Sequence, residues 1–103
     1  MNSEVLILYT RKGCCLCQTL EKKLSKISLE KLNPSIALSI VDIDSKKVSL
    51  DIQMKYTNEV PVIVLDSTRL LKKIELPRVS PRLKEDMLLS WIQKNLNILY
   101  KTS

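Results

Sequence analysis

Three cysteines, Cys14, Cys15 and Cys17, stand within four consecutive positions and are the only cysteines among the 103 residues. Cys14 and Cys17 form a Cys-x-x-Cys pair. Residues three apart at the start of a helix lie on one face, close enough for a disulfide to close without unwinding the helix. A thiol pair at this spacing can exchange electrons with another disulfide, contribute to a metal site, or form a static crosslink.

The residues before the cysteines favour thiol chemistry. Cys14 follows a predicted strand and a turn that contains Gly13, the only glycine, and it precedes a predicted helix. Its sulfur is therefore expected near the unpaired N–H groups of the first helical turn, which stabilise a thiolate together with the helix dipole. Arg11 and Lys12 add positive charge beside it, and both are candidate substrate-binding residues.

Catalytic roles follow from the positions of the sulfurs. We predict that Cys14, nearer the start of the helix, attacks a disulfide and forms a mixed disulfide. Cys17, one turn further along, resolves that intermediate. Cys15 is interpreted as a small filler residue, with a second reactive thiol as the alternative.

Two alternatives to redox chemistry stay open. A structural zinc site needs four ligands, and this chain has three clustered cysteines and no histidine, which disfavours a site within one chain. We therefore predict no bound metal in the monomer, but an iron–sulfur or zinc site shared between subunits remains an alternative. A redox-inactive module that binds a protein partner is the other alternative.

Composition limits the class of protein. The 45% hydrophobic fraction and the length predict a single domain over residues 1–103. The lysines and arginines behind the net charge of +6 are scattered along the chain, and only 4% of the residues are aromatic. Both observations argue against nucleic-acid binding. No run approaches the roughly 20 apolar residues that span a membrane, and no secretory signal is evident. We expect a cytoplasmic monomer, in which a disulfide is more often catalytic than structural.

Hydrophobic patterning predicts the order β-α-β-α-β-β-α. A long crossover makes the first two strands parallel, and a hairpin makes the last two antiparallel. The fold class is therefore α/β, with a mixed sheet flanked by helices. The predicted strands are Glu4–Thr10, Ser35–Asp44, Val60–Leu65 and Leu70–Leu76, with a turn at Asp66–Arg69. The predicted helices are Cys14–Leu32, a shorter one capped at Asp44-Ser45 and ending near Tyr56, and one that starts at Ser80-Pro81 and continues through Leu99.

Two segments resemble glutaredoxins and their short relatives. Tyr9–Cys17 (YTRKGCCLC) is similar to their Tyr-Thr/Ser-Lys/Arg-x-x-Cys-x-x-Cys signature, and Val60-Pro61 is similar to their Val-Pro. The resemblance implies a thioredoxin-like fold with a four-stranded sheet, and a cis Pro61 that faces the first cysteine. It further implies that the Val60 backbone pairs with an extended substrate and that Arg11 meets a glutathione carboxylate.

The chain also departs from that family. The segment Leu76–Ser80 lacks the Gly-Gly turn that helps cradle glutathione, and Glu59 stands where Thr is usual. A carboxylate there would repel glutathione unless Arg78 or Arg82 offsets it. The first strand also lacks the buried Asp of thioredoxins. The missing Asp weighs against a full thioredoxin role. The other two departures weigh against a strict need for glutathione and leave dithiol chemistry unaffected.

The resulting functional prediction is an enzyme, a glutaredoxin-like disulfide reductase that serves electron transfer and cell redox homeostasis. Its substrate is predicted to be a disulfide in a protein or small molecule. No tightly bound cofactor is expected. Glutathione is a candidate co-substrate, and glutathione or thioredoxin reductase is the candidate electron donor.

Overall fold

The structure, a computed structural model, describes residues 4–80 and 82–101. Its elements follow the predicted order. The strands are β1 (Glu4–Thr10), β2 (Ile36–Asp42), β3 (Val62–Ser67) and β4 (Lys72–Glu75). The helices are α1 (Cys15–Lys26), α2 (Leu50–Tyr56) and α3 (Glu85–Lys101), with a 3-10 turn at Leu29–Lys31.

The four strands form one mixed sheet in the order β2-β1-β3-β4. β1 pairs in parallel with β2 and antiparallel with β3, while β3 and β4 form an antiparallel hairpin. The predicted strand directions are therefore confirmed. β1 is a central strand with helices on both sides, which explains why its sequence is almost continuously apolar.

Two hydrophobic clusters cover the two faces of the sheet. Alternate residues of β1 divide between them, because successive side chains of a strand point to opposite faces. Leu6 and Leu8 pack with residues of α1 and α3, among them Leu20, Leu24 and Leu88. On the opposite face, the main cluster contains Ile7, Tyr9, Ile43, Tyr56, Val62 and Val64.

The first helix is shorter than predicted. α1 ends at Lys26, because Ile27 adopts an extended backbone with φ −86 and ψ 155. The expected helix to Leu32 is wrong. A 3-10 turn keeps the three-residue spacing of the apolar side chains, so Leu29 and Leu32 are still buried.

The second helix also begins later than predicted. Ser49, and not Asp44 or Ser45, caps α2, because its side chain accepts a hydrogen bond from the Ile52 N–H at 3.4 Å. Asp44 instead binds an arginine, as described below.

The third strand and the hairpin turn are shifted along the chain. β3 starts at Val62 and continues to Ser67, so the turn spans residues 68–71 instead of the predicted Asp66–Arg69. Leu71 has a φ of 56, a left-handed conformation that is unusual without glycine. β4 is correspondingly shorter than predicted.

The last helix starts at Glu85, five residues after the predicted cap at Ser80. Ser80 caps a separate turn, in which its side chain accepts from the Arg82 N–H and its carbonyl from the Leu83 N–H. Pro81, the other half of the predicted start signal, lies outside the described residues.

Candidate active site

The cysteines lie in the connection between β1 and α1. The Cys14 N–H donates to the Arg11 carbonyl at 3.2 Å, which closes a tight turn. Gly13 in that turn has a φ of +81, a conformation that side chains rarely adopt. An added Cβ would meet nothing within 4 Å, so glycine is favoured here by backbone conformation and not by lack of space.

A disulfide joins Cys14 and Cys17, whose Cα atoms are 5.2 Å apart. Cys14 is the N-cap of α1, and its Sγ accepts a hydrogen bond from the Cys17 N–H at 3.1 Å. The predicted position of this sulfur at the start of the helix is confirmed. No acidic residue lies in the first turn of α1, so nothing on that turn opposes a negative charge on the sulfur.

The three cysteines differ in exposure. Cys14 is half-buried, whereas Cys17 is only 1% exposed. Cys15 is exposed and forms no disulfide. An incoming disulfide can therefore reach one sulfur of the bridge more easily than the other.

Arg11 joins three segments beside the bridge. Its Nε and Nη2 donate to the two carboxylate oxygens of Asp44 at 3.0 and 3.1 Å. Its Nη1 and Nη2 donate to the carbonyl and hydroxyl oxygens of Thr57 at 2.9 and 3.1 Å. The guanidinium thus holds the cysteine loop against the ends of β2 and α2.

The same contacts shift the pKa values of both ionised partners. The hydrogen bond from Arg11 is the main reason that the pKa of Asp44 lies below its ordinary value. The hydrogen bond to Asp44 likewise raises the pKa of Arg11. The pair is therefore ionised at any physiological pH.

Lys12 differs from its neighbour. Its side chain is exposed, and within residues 4–80 and 82–101 it makes no hydrogen bond or ion pair. A free ammonium group beside the cysteines remains available to an anionic group from outside.

The remaining predicted residues, Val60 and Pro61, directly precede β3. The Val60–Pro61 peptide is cis, as the resemblance implied. Val60 packs against the cluster that contains Tyr9 and Tyr56. Glu59 accepts a hydrogen bond from the Arg78 guanidinium, so the carboxylate that departs from the glutaredoxin pattern is offset by a neighbouring cation.

Sequence reasoning missed Asp44 and Thr57 as partners of Arg11. Asp44 is separated from Arg11 by 33 positions. A signal existed, since residues that follow the carboxyl ends of adjacent parallel strands meet at one edge of the sheet. Arg11 directly follows β1, and Asp44 follows β2 by two positions.

In the described part of the chain, no group of three or more His, Cys, Asp or Glu side chains is arranged to hold a metal ion. Nor does that part contain a helix that is both long and apolar enough to cross a bilayer.

A Cys-x-x-Cys bridge that follows the central strand β1 of a sheet in the order β2-β1-β3-β4, at the start of a helix, defines a thioredoxin-fold protein with a redox-type disulfide. The family described as "Glutaredoxin-like domain" matches residues 5–93. The chain belongs to that family, and the resemblance seen in the sequence is confirmed. The sequence has no match among curated proteins.

Solved structures are similar in fold. A thioredoxin-2 described as a component of malaria parasite protein secretion machinery is 23% identical with a TM-score of 0.59, over 90% of this chain and 84% of that one. A variant thioredoxin from Halobacterium salinarum is 23% identical with a TM-score of 0.58, and the match covers 90% of this chain and 74% of that one. Oxidised mitochondrial thioredoxin 3 from Saccharomyces cerevisiae is 19% identical with a TM-score of 0.55, and the match covers 91% of this chain and 80% of that one. The thioredoxin-like α/β fold is thereby established.

Proposed function

We propose that the protein is a glutaredoxin-like thiol–disulfide oxidoreductase in which Cys14 and Cys17 alternate between a dithiol and a disulfide. The observation that carries this proposal is the bridge itself. One of its sulfurs caps a helix and is half-buried, while Cys17 is only 1% exposed. This asymmetry supports a nucleophile that meets the substrate and a resolving thiol behind it.

The first step uses the helix start. In the reduced protein, the Cys17 N–H and the dipole of α1 stabilise the Cys14 thiolate. The thiolate attacks one sulfur of a substrate disulfide. A bond forms between Cys14 Sγ and that sulfur, the substrate S–S bond breaks, and the other sulfur leaves as a thiolate that takes a proton from water.

The second step closes the bridge. The sulfur of Cys17 attacks Cys14 Sγ, the mixed disulfide breaks, and the second substrate sulfur leaves as a thiol after protonation. The substrate gains two electrons and two protons, and the protein loses the same number. An external reductant then returns the bridge to the dithiol.

Substrate contacts are assigned to the surroundings of the bridge. The Val60 backbone, next to Pro61, pairs with an extended segment of the substrate. Arg11 already donates four hydrogen bonds within the chain, which suits it to fixing the loop. Lys12 is the cation that we assign to an anionic group of the substrate.

The electron donor is proposed on the same grounds. With Arg11 occupied by Asp44 and Thr57, a glutathione carboxylate would depend on Lys12, so glutathione is a weak co-substrate in this proposal. Thioredoxin reductase is the alternative donor. The roles proposed for this chemistry are electron transfer and redox homeostasis in the cytoplasm.

The test is reduction of a small disulfide, first with glutathione and glutathione reductase and then with a thioredoxin reductase system. Wild type and the Cys15→Ser variant are expected to turn over at similar rates. Cys14→Ser is expected to be inactive with both donors. Cys17→Ser is expected to stop at the mixed disulfide, which mass spectrometry would identify on Cys14.

Activity that survives in Cys14→Ser would overturn the assignment of the nucleophile. A wild-type protein whose thiol content never changes with added oxidant would overturn the function itself.

A further inference from the structure

A pocket of about 250 Å³ opens beside Cys17. Its lining is polar apart from the cysteine and includes Thr10, Arg11, Glu21 and Asp42. A polar pocket of this size can hold several water molecules, because one water occupies about 30 Å³ and needs two to four polar partners. The pocket therefore gives the buried sulfur a route to water and to two carboxylates.

Asp42 reaches this pocket because of the sheet register. It pairs with Thr10 at the end of the parallel β1–β2 ladder. Thr10 lies on the same face of β1 as Leu6 and Leu8, which pack against α1, since alternate residues of a strand share a face. Asp42 therefore lies beneath α1, the helix that carries Cys17, and its side chain is half-buried.

One oxygen of this carboxylate is fixed in place. The Asp44 N–H donates to Asp42 Oδ1 at 2.9 Å. Among the described residues, no hydrogen bond engages Oδ2, so this oxygen is available to water in the pocket. The carboxylate is thus both oriented and accessible.

A proton acceptor near Cys17 would accelerate the second step. The thiolate, and not the thiol, is the nucleophile, so Cys17 must lose a proton before it attacks. Because Cys17 is only 1% exposed and lines this pocket, we expect its proton to leave through the pocket. A general base reached through one water can contribute about 10²–10⁴-fold to such a step.

We propose that Asp42 accepts the proton of Cys17 through water in this pocket during closure of the bridge, an inference that rests on the proposed function. The Cys17 S–H proton passes through water to Asp42, and the sulfur electron pair forms the bond to Cys14 Sγ. The bond from Cys14 Sγ to the substrate sulfur breaks. The substrate leaves as a thiolate and is protonated by water, and Asp42 later releases its proton to solvent.

Other charged groups face the same pocket. Arg11 and Lys12 contribute positive charge from the β1–α1 loop, and Glu21 contributes a second carboxylate from α1. Glu21 lies four residues after Cys17 on the same side of the helix. Its longer side chain makes no hydrogen bond to the described residues that would fix its carboxylate, so it serves as the comparison for Asp42.

The experiment separates the two steps in one reaction. Reduced protein carrying Cys15→Ser is mixed in a stopped-flow instrument with an aromatic disulfide whose released thiolate is coloured. The first equivalent of colour reports attack by Cys14, and the second reports closure by Cys17. In Asp42→Asn, the first phase is expected to stay within about twofold of the parent, and the second to slow by at least about tenfold.

The pH profile supplies a readout that a merely structural role would not change. Closure in Asp42→Asn is expected to accelerate by about tenfold per pH unit across the neutral range, because only thiolate formed without the base can react. The parent is expected to show a flatter profile. Asparagine keeps the oxygen that accepts from the Asp44 N–H, so the loop geometry is conserved.

Two variants are the controls. Glu21→Gln changes the other carboxylate of the pocket, and Asp51→Asn changes an exposed carboxylate on α2. The proposal is overturned if closure in Asp42→Asn keeps the parental rate, if both phases slow equally, or if Glu21→Gln alone slows closure. A parent protein without a first phase would instead contradict the proposed function.

Discussion

The buried carboxylate of Glu4 provides a quantitative test of how the first strand is held. Glu4 is 1% exposed, and its Oε1 accepts hydrogen bonds from Thr68 Oγ1 and the Arg69 N–H, both at 3.1 Å. Its Oε2 accepts from the Tyr100 hydroxyl. These bonds connect the start of β1 to the β3–β4 turn and to the end of α3.

The perturbation is Glu4→Gln, which removes the charge and keeps the shape. A hydrogen bond to a charged group contributes about 1 kcal/mol more than a neutral one. For the three bonds described above, the loss in the free energy of unfolding is therefore about 3 kcal/mol. In a domain of this size, this corresponds to a fall in Tm of roughly 10–20 °C.

The pH dependence has a defined sign. Burial alone would raise the pKa of Glu4, but hydrogen bonds from Tyr100, Ser67, the Arg69 amide and Thr68 together lower this pKa below its ordinary value of 4.5. A lowered pKa in the folded state means that the unfolded state binds more protons, so this stabilisation is present above pH 4.5 and is lost as pH falls through the folded-state value.

The assay is urea denaturation of the oxidised protein, followed by circular dichroism at several pH values. Glu30→Gln is the control, because Glu30 is exposed. The difference between wild type and Glu4→Gln is expected to be largest near neutral pH and to shrink below pH 4.5. A difference under about 1 kcal/mol at neutral pH would refute the reasoning, because it would equal the contribution of one ordinary hydrogen bond.

Two further predictions concern the candidate active site and the hydrophobic cluster that contains Tyr56. Arg11→Gln is expected to lower the turnover number for a small disulfide by about tenfold or more, because the cysteine loop loses its contacts with Asp44 and Thr57, and steady-state kinetics would measure this. Tyr56→Phe is expected to cost about 1 kcal/mol in denaturation, because the bond from the Tyr56 hydroxyl to Glu75 is lost. In wild type, burial of the phenol and, to a smaller extent, its hydrogen bond to Glu75 raise the pKa of Tyr56 to about 12. Tyr56→Phe therefore removes a phenol that ionises near pH 12.

Each of these two has a result that would contradict it. Turnover at the wild-type rate in Arg11→Gln would mean that the contacts with Asp44 and Thr57 do not position the cysteine loop. Lys12→Gln is the control, because it removes a neighbouring positive charge and leaves those contacts in place. If the absorbance change that Tyr56→Phe removes from an alkaline titration develops near the ordinary value of 10, Tyr56 does not ionise near pH 12.

Elements with strong apolar patterns were predictable from the sequence, whereas their ends were not. β1 was predicted with its observed bounds because its apolar run is bounded by the Arg11–Gly13 turn. The start of α2 was misplaced because both Ser45 and Ser49 can cap a helix. In the structure, Ser45 accepts a hydrogen bond from the Lys47 N–H in a separate turn, and Ser49 accepts the one from the Ile52 N–H that caps α2.

The candidate site was predictable where its chemistry is local in sequence. The Cys-x-x-Cys pair and the preceding glycine turn lie on one short segment, so the sequence indicated that the Cys14 sulfur lies near the N–H groups of the first helical turn. Other features of the site join segments that are distant in the sequence. These are the contacts of Arg11, the ion pair of Glu59 with Arg78, and the pocket that Asp42 and Cys17 both line. They depend on strand register and loop conformation, which spacing does not specify.

The most direct test of the account is the pH dependence of alkylation at Cys14. The reduced Cys15→Ser variant is treated with iodoacetamide over a range of pH, and the modified peptide is quantified by mass spectrometry. The account predicts a Cys14 thiolate pKa clearly below that of an ordinary free thiol, because the start of α1 and the Cys17 N–H stabilise the anion. A value at or above that of a free thiol would contradict it.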